Sequence, residues 1–401
     1  MFMKKSLCLI IFFLFQRLFA TTFFSGDFGL MANFINKKNF GIDPALTFTG
    51  FLGGQLALSQ SLSFDGEFSL QTNDLYENGF SKETDATFRV NEISVTYSKS
   101  FAGATHTFTF FKGFNEPIGS QKFITRRLGI ENFSSYITNN YLGQNGLNAY
   151  EVFGTGGSYS LTIRSLPMSL GLVVSKNREN DEDVSQLCTD LRLAYSSKIM
   201  SLDFLAGLNA PLYTKNSSEE DVVLLIDTLY LHSGIDFLLG NKYSPVSLFI
   251  QCGFDYFSVK SSDKAKDFEL EDTMLILEPR FKIGDARLYI TVFNIPDEKT
   301  GKSILMDDTC GLNFAMFAET MYKKQRNYSA GIHCMASFEG IHLTDYSDSD
   351  FMEVMNVKFC PFAEIDADKG KLNFMLQASV TKFADSKPEA FKFHIGYKKE
   401  F

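Results

Sequence analysis

Along most of the chain, hydrophobic and polar residues alternate with a period of two. Residues 61–71 are the clearest stretch. Leu62, Phe64, Gly66, Phe68 and Leu70 share one face; Ser61, Ser63, Asp65, Glu67, Ser69 and Gln71 share the other. A β-strand projects successive side chains to opposite faces, so this stretch predicts a strand with one apolar and one wetted face. Mid-strand carboxylates fit only if their face meets water. The pattern recurs where Tyr159, Leu161 and Ile163 oppose Ser160, Thr162 and Arg164. It recurs again where Val246, Leu248, Ile250, Cys252, Phe254 and Tyr256 oppose Ser247, Gln251, Gly253 and Asp255. Tyr328, Ala330, Ile332, Cys334, Ala336 and Phe338 oppose Ser329, Gly331, His333, Ser337 and Glu339 in the same way. So do Leu372, Phe374, Leu376, Ala378 and Val380 against Asn373, Gln377, Ser379 and Thr381. Turn-forming clusters at 215–221, 260–267, 297–302, 345–350 and 366–371 lie between such stretches.

Marking every such segment predicts about 16–18 strands of membrane-spanning length, mostly joined by short turns. The expected fold class is all-β, an antiparallel up-and-down transmembrane barrel. Two packed sheets would alternate too, but would not need so many strands of this length. After residue 20 nothing reads as a transmembrane helix. The most apolar stretch, 222–240, contains Asp227, His232 and Asp236, which are costly at mid-bilayer. It reads as one long strand or a kinked pair. The widest gap in the pattern is 113–157, too long for a simple turn. Either it folds into the lumen, or it is an exposed loop with strands near 136–142 and 147–153.

Residues 1–20 break the pattern. Lys4 and Lys5 precede an apolar run over 6–15, and Ala20 offers a small residue for cleavage. This is the layout of a secretory signal, and the run is too short for a membrane anchor. The expected organisation is a signal peptide at 1–20, exported by the Sec route, and one barrel domain over 21–401.

Composition agrees with this reading. Hydrophobic residues make up 45% of the chain, with 43 Phe, 16 Tyr and no Trp. That is too polar for a helical membrane protein and suits lipid-facing strands with aromatic girdles. Losing Lys4, Lys5 and Arg17 takes the 38 basic residues to 35 against 47 acidic ones, and the net charge from −9 to −12. Such a balance argues against a nucleic-acid partner. Without Cys8, five cysteines remain, an odd number with no CxxC or Cys/His metal spacing. Cys252, Cys334 and Cys360 are expected on apolar faces as packing residues.

The last stretch, FKFHIGYKKEF, puts Phe391, Phe393, Ile395, Tyr397 and Phe401 on one face and Lys392, His394, Gly396, Lys398 and Glu400 on the other. It resembles the terminal strand of bacterial outer-membrane porins and related barrels, which usually ends in Phe after alternating apolar residues. Phe393, Ile395, Tyr397 and Phe401 carry the match; Lys399 departs from it. The resemblance implies an outer-membrane location in a diderm bacterium, lipid around the wall, and a terminal strand read by the barrel-assembly machinery. It also admits a homo-oligomer.

In porins a long early loop narrows the lumen, with acidic loop residues facing basic wall residues. The resemblance therefore makes Glu116, Lys122, Arg126, Arg127 and Glu131 candidates for a constriction. Wall charges expected to face the lumen are Asp65, Glu67, Arg89, Arg164, Asp190, Arg192, Asp203, Asp255, Arg287, Lys392, His394 and Lys398. Such charges set ion preference in pores. His232-Ser233 is the only adjacent His/Ser pair and has no catalytic motif around it. There is no P-loop, dinucleotide fingerprint or zinc spacing, so neither an enzyme nor a cofactor is expected. The leading expectation is a porin-like channel for passive passage of small solutes. Its rivals are a plugged transporter of hydrophobic substrates, as in the fatty-acid transporter family, and a closed surface barrel acting as an adhesin.

Overall fold

A computed structural model describes residues 23–36, 44–78, 86–130, 133–138, 146–178, 185–215, 221–225, 229–241, 244–260, 269–301, 305–322, 326–343, 354–367, 369–384 and 389–401. The expected signal at 1–20 lies outside them. Nineteen strands form one antiparallel sheet. They are β1 (Phe23–Asn36), β2 (Pro44–Ala57), β3 (Leu62–Thr72), β4 (Ala86–Phe101), β5 (Ala104–Phe114), β6 (Phe153–Ile163), β7 (Met168–Arg178), β8 (Ser185–Ser196), β9 (Met200–Lys215) and β10 (Asp221–Leu225). Then come β11 (Leu229–Leu239), β12 (Val246–Lys260), β13 (Thr273–Ile283), β14 (Ala286–Asn294), β15 (Cys310–Tyr322), β16 (Arg326–Phe338), β17 (Met355–Ala367), β18 (Gly370–Ser379) and β19 (Phe391–Glu400). β10 is a spur that pairs only with the end of β9, while β11 lies beside β9 along its length. The stretch 222–240 is thus two strands. The wall has eighteen strands, closed where β1 pairs with β19 from Asp27↔Glu400 to Ile35↔Lys392.

Short connections gather on one rim, at 58–61, 102–103, 164–167, 197–199 and 284–285, with Phe23 and Phe401 beside them. At 102–103 both Ala102 and Gly103 have positive φ (51° and 80°), the geometry that matches a two-residue turn to strand twist. The long connections lie on the other rim. This asymmetry is that of outer-membrane barrels.

The outer face is apolar. Leu30, Leu52, Phe88, Phe108, Phe110 and Met316 are all exposed on it. In water so continuous a patch would drive association; in a bilayer it meets hydrocarbon. Among the described residues no helix is long and apolar enough to cross a membrane; the strands do the crossing. Phe401 extends this face. Its backbone exchanges hydrogen bonds of 2.9 and 3.0 Å with Gly26, and its ring lies 5.2 Å from Phe24 and 6.3 Å from Phe28. Lys399 shares the outer face opposite Phe28, near the rim, where a lysine stem can lie along apolar surface with its ammonium in water.

The core lies inside the barrel. Eighteen strands spaced about 4.8 Å apart and tilted about 40° make a backbone cylinder about 36 Å across. Wall side chains alone cannot fill that. Two connections do so in part: 115–152 between β5 and β6, and 295–309 between β14 and β15. Their Ile118, Ile137, Leu147, Ile295, Leu305 and Met306 pack against inward Met274, Ile276, Phe293, Phe317, Met335 and Phe362 of the wall. Burying each such side chain is worth about 1.5–3 kcal/mol relative to exposure, so both segments are held inside. The reading of 113–157 as an exposed loop with extra strands is corrected. Residues 136–138 are a turn, and among the described residues of this segment the bridge Ile118↔Tyr150 is the only strand pairing before β6; positions 139–142 of the first expected strand lie outside them. Cys360 is corrected as well. It faces the lumen beside His333 and is buried in this core, whereas Cys252 and Cys334 are on the outer face.

Candidate functional site: a basic helix inside an acidic wall

The feature most able to act on a solute starts from a conflict on the wall. Glu67 of β3 and Glu92 of β4 stand directly opposite each other, with Asp65 one step along the same face. Like charges in cross-strand register repel. A bulge follows, because Asn91 is skipped between the pairs Glu67↔Glu92 and Phe68↔Val90. The extra residue turns Arg89 to the lumen side, opposite Ser69, where it is exposed.

The repulsion is relieved by the inward segment. Residues Lys122–Leu128 form a short helix, entered at Gln121 and left at Gly129, both with positive φ. Phe123 and Ile124 pack against Phe133, Ala194, Leu238 and Phe249. That orientation aims Lys122, Arg126 and Arg127 away from the apolar side. Lys122 Nζ bridges the two glutamates, at 2.5 Å from Glu67 and 3.0 Å from Glu92. Arg126 reaches Glu92 at 3.1 Å, Glu116 at 3.3 Å and Asp65 at 3.4 Å. Arg127 reaches Glu116 at 3.4 Å and donates to Ser160 Oγ at 2.8 Å.

Burial alone would raise the carboxyl of Glu116, but Arg127, Arg126 and Arg192 hold it below the ordinary glutamate range. Burial would likewise lower the ammonium of Lys122, but Glu67 and Glu92 raise it. Both groups are therefore charged at neutral pH. The arrangement differs from the expectation in polarity and in closure. The helix contributes the bases, the wall supplies Asp65, Glu67 and Glu92, and Glu116 of the same inward segment adds a fourth acid; they touch instead of facing each other across an opening. Glu131, the fifth constriction candidate, lies outside the described residues.

The other wall candidates fall into separate groups and do not form a ring. Asp190 is buried against His232. Arg192 holds Asp203 at two points, 2.9 and 2.7 Å, donates to the Glu116 carbonyl, and stacks 4.4 Å over Phe123. Asp255 takes Lys299 of the second inward segment at 3.1 Å, and Lys299 also donates to the Ala149 carbonyl at 2.8 Å, so the two segments are tied together. Lys392 pairs with Asp307 at 2.9 Å, Lys398 with Asp27 at 2.6 Å, and His394 hydrogen-bonds Asn33 at 2.6 Å. Arg164 lies in the turn after β6 and donates to Ser100 at 2.6 Å. Arg287 lines a cavity of about 50 Å³ with Arg280 and Tyr289. His232 and Ser233 project to opposite faces: His232 stacks on Tyr150 at 4.1 Å, and Ser233 donates to the Leu205 carbonyl.

Sequence reasoning missed a second latch. Asp307 and Asp308, inside a stretch next to a turn cluster, reach across to Lys358 of β17. It also missed Tyr136, whose ring is seated among Phe317 (4.8 Å), Phe362 (5.6 Å), His333 (5.6 Å) and Tyr289 (6.3 Å). Inward apolar positions such as Phe249, Phe317 and Phe362 were the available signal, because a face that meets only water has no use for them.

No protein-family model matches the chain, and no curated protein matches it in sequence. Among solved structures it is similar to Wzi of Escherichia coli, described as a carbohydrate-binding β-barrel involved in capsule assembly, at 11% identity over 94% of this chain and 85% of that one, TM-score 0.47. It is similar to a mutant porin of Rh. blastica at 11% identity over 95% and 100%, TM-score 0.45, and to OmpF of Salmonella typhi at 10% over 95% and 97%, TM-score 0.40. The closed wall, its apolar outer belt and its one rim of short turns are this chain's own features, and they are those of barrels that cross bacterial outer membranes. The chain is a closed, eighteen-stranded, all-antiparallel transmembrane β-barrel.

Proposed function

We propose that this barrel is a channel for passive passage of small hydrophilic solutes, narrowed by the Lys122–Leu128 helix. One observation carries the reading. The side chains of Lys122 and Arg126, inside the barrel, are 23% and 29% exposed, so water reaches the helix and its fixed charges. Passage past these charges would favour small polar solutes and bias ion preference. The reading carries with it a signal cleaved after residue 20, a single barrel domain over 21–401, and recognition of Phe393, Ile395, Tyr397 and Phe401 by the assembly machinery. A second reading, passage of hydrophobic substrates past a plug, draws support from the apolar cluster around Tyr136.

Planar-bilayer recording on refolded, heat-modifiable protein separates these readings. Stepwise conductance is the expected result. Lys122→Gln combined with Arg126→Gln and Arg127→Gln leaves Asp65, Glu67 and Glu92 without their cations and Glu116 with Arg192 alone, so the reversal potential in a KCl gradient should move toward cations. A correctly folded barrel with no conductance sinks the channel reading and leaves the hydrophobic transporter or a closed adhesin. An unmoved reversal potential removes the helix from the conducting lane.

A further inference from the structure

On the wall from β8 to β13, inward acids are matched to bases one by one. Asp190 has His232, Asp203 has Arg192, Asp255 has Lys299 and Glu278 has Arg280. Asp236 of β11 breaks the series. It stands opposite Asp203 on one side and Gln251 on the other, and it is fully buried. Among the described residues no cationic side chain pairs with it. Arg192 feels its charge but is committed at two points to Asp203 and at a third to the Glu116 carbonyl.

The surroundings of Asp236 are polar and unfinished. The Gln251 amide and the Gly119 N–H approach its carboxylate, yet neither Asp236 oxygen has a hydrogen bond of normal geometry. The same holds for both amide atoms of the fully buried Gln251 and for Oδ1 of buried Asn148. These groups converge where the inward segment passes over the wall. Gly119 has a φ of 106°, and a Cβ there would stand 2.6 Å from Gln251 Nε2 and 3.2 Å from Asn148 Oδ1. Only glycine permits so close an approach in that conformation.

A carboxylate without a countercharge in such a place costs several kcal/mol. Turning the Gln251 amide so that its oxygen replaces Nε2 beside Gly119 gathers two oxygens from Asp236 and one each from Gln251 and Asn148, the ligands hard cations take. Their summed charge is that of one carboxylate. A monovalent ion balances it, whereas a divalent ion would leave a buried surplus. We propose that Asp236, Gln251 and Asn148 bind a monovalent alkali cation, Na⁺ or K⁺, which ties the inward segment to the wall.

Two measurements on the intact folded barrel test this. Crystals soaked in Tl⁺ should show an anomalous peak within coordination distance of Asp236, Gln251 and Asn148. Thermal unfolding in NaCl should rise by roughly 2 °C per tenfold increase in Na⁺ above its dissociation constant, against N-methyl-D-glucamine chloride at equal ionic strength. Asp236→Asn should abolish the response. Equal stability in both salts with no Tl⁺ peak means that Asp236 is neutralised by a proton, and overturns the proposal. A response saturating at micromolar Ca²⁺ also overturns it, since the site would then be divalent. If Asp236→Asn fails to fold, the Tl⁺ peak in the wild type decides alone.

Discussion

Lys358→Met tests whether ion pairs hold the second inward segment in the lumen. Lys358 is buried, and its ammonium meets both Asp307 and Asp308. Methionine keeps the stem and removes the charge. Removing one partner of a buried pair costs about 3–5 kcal/mol. Asp307 retains Lys392 at 2.9 Å and Gln377 at 3.2 Å, and Asp308 retains Ser337 and Asn356, so the low end, ~3 kcal/mol, is expected. That is roughly a hundredfold change in an equilibrium. It should fall on the docking of 295–309 and spare the strand ladders. In planar bilayers the variant should show a larger and noisier conductance than wild type, with unchanged heat-modifiability on gels. Adding Asp307→Asn and Asp308→Asn should recover part of the docking by removing the orphaned charges. The sign of the pH response is also set. Burial pushes the Asp307 carboxyl up, but Lys358 and Lys392 outweigh it and hold it well below its usual range. A depressed acid stabilises above its unfolded pKa, about 3.9, and that contribution disappears as pH falls through the folded value. Wild-type conductance should therefore not change through this latch between pH 7 and 5. Identical conductance and identical unfolding in the variant would refute the reasoning.

Three further tests address other contacts. Arg192→Met leaves Asp203 buried without its partner and should lower stability by about 3–5 kcal/mol in urea unfolding, with Asp203→Asn restoring much of it. Tyr136→Ala empties the seat among Phe317, His333 and Phe362 and should cost about 3–5 kcal/mol at most, read as lower thermal stability and noisier conductance, while Tyr136→Phe should resemble wild type. Deleting Phe401 removes its ring contacts with Phe24 and Phe28 and its hydrogen bonds to Gly26. A smaller heat-modifiable fraction in the outer membrane is expected, and normal assembly would remove the terminal residue from the recognition reading.

The wall was legible because its rule is local. A period of two is visible in ten residues, and Asp65 and Glu67 between Phe64 and Phe68 already tell which face meets water. Register at the terminal strand followed in the same way, through to Phe401. The contents of the lumen were not legible by that rule. Phe249 and Phe317 sit on the polar face of alternating strands, and sequence alone reads them as noise. They become sense only when residues 115–152 and 295–309 fold back to cover them. Likewise Lys358 and Asp308 are distant in sequence, and nothing local joins them.

By itself, then, the sequence determined the strand periodicity, the separation of an apolar from a wetted face and the count of strands to within two, because each depends on neighbours along the chain. Only the tertiary structure decided the polarity of the helix-and-wall contact, the two inward latches and the unmatched charge of Asp236. Those depend on which strands the closure of the barrel brings opposite one another and on where two long connections come to rest. Pairing of that kind is set by long-range packing and electrostatics, which alternation does not encode.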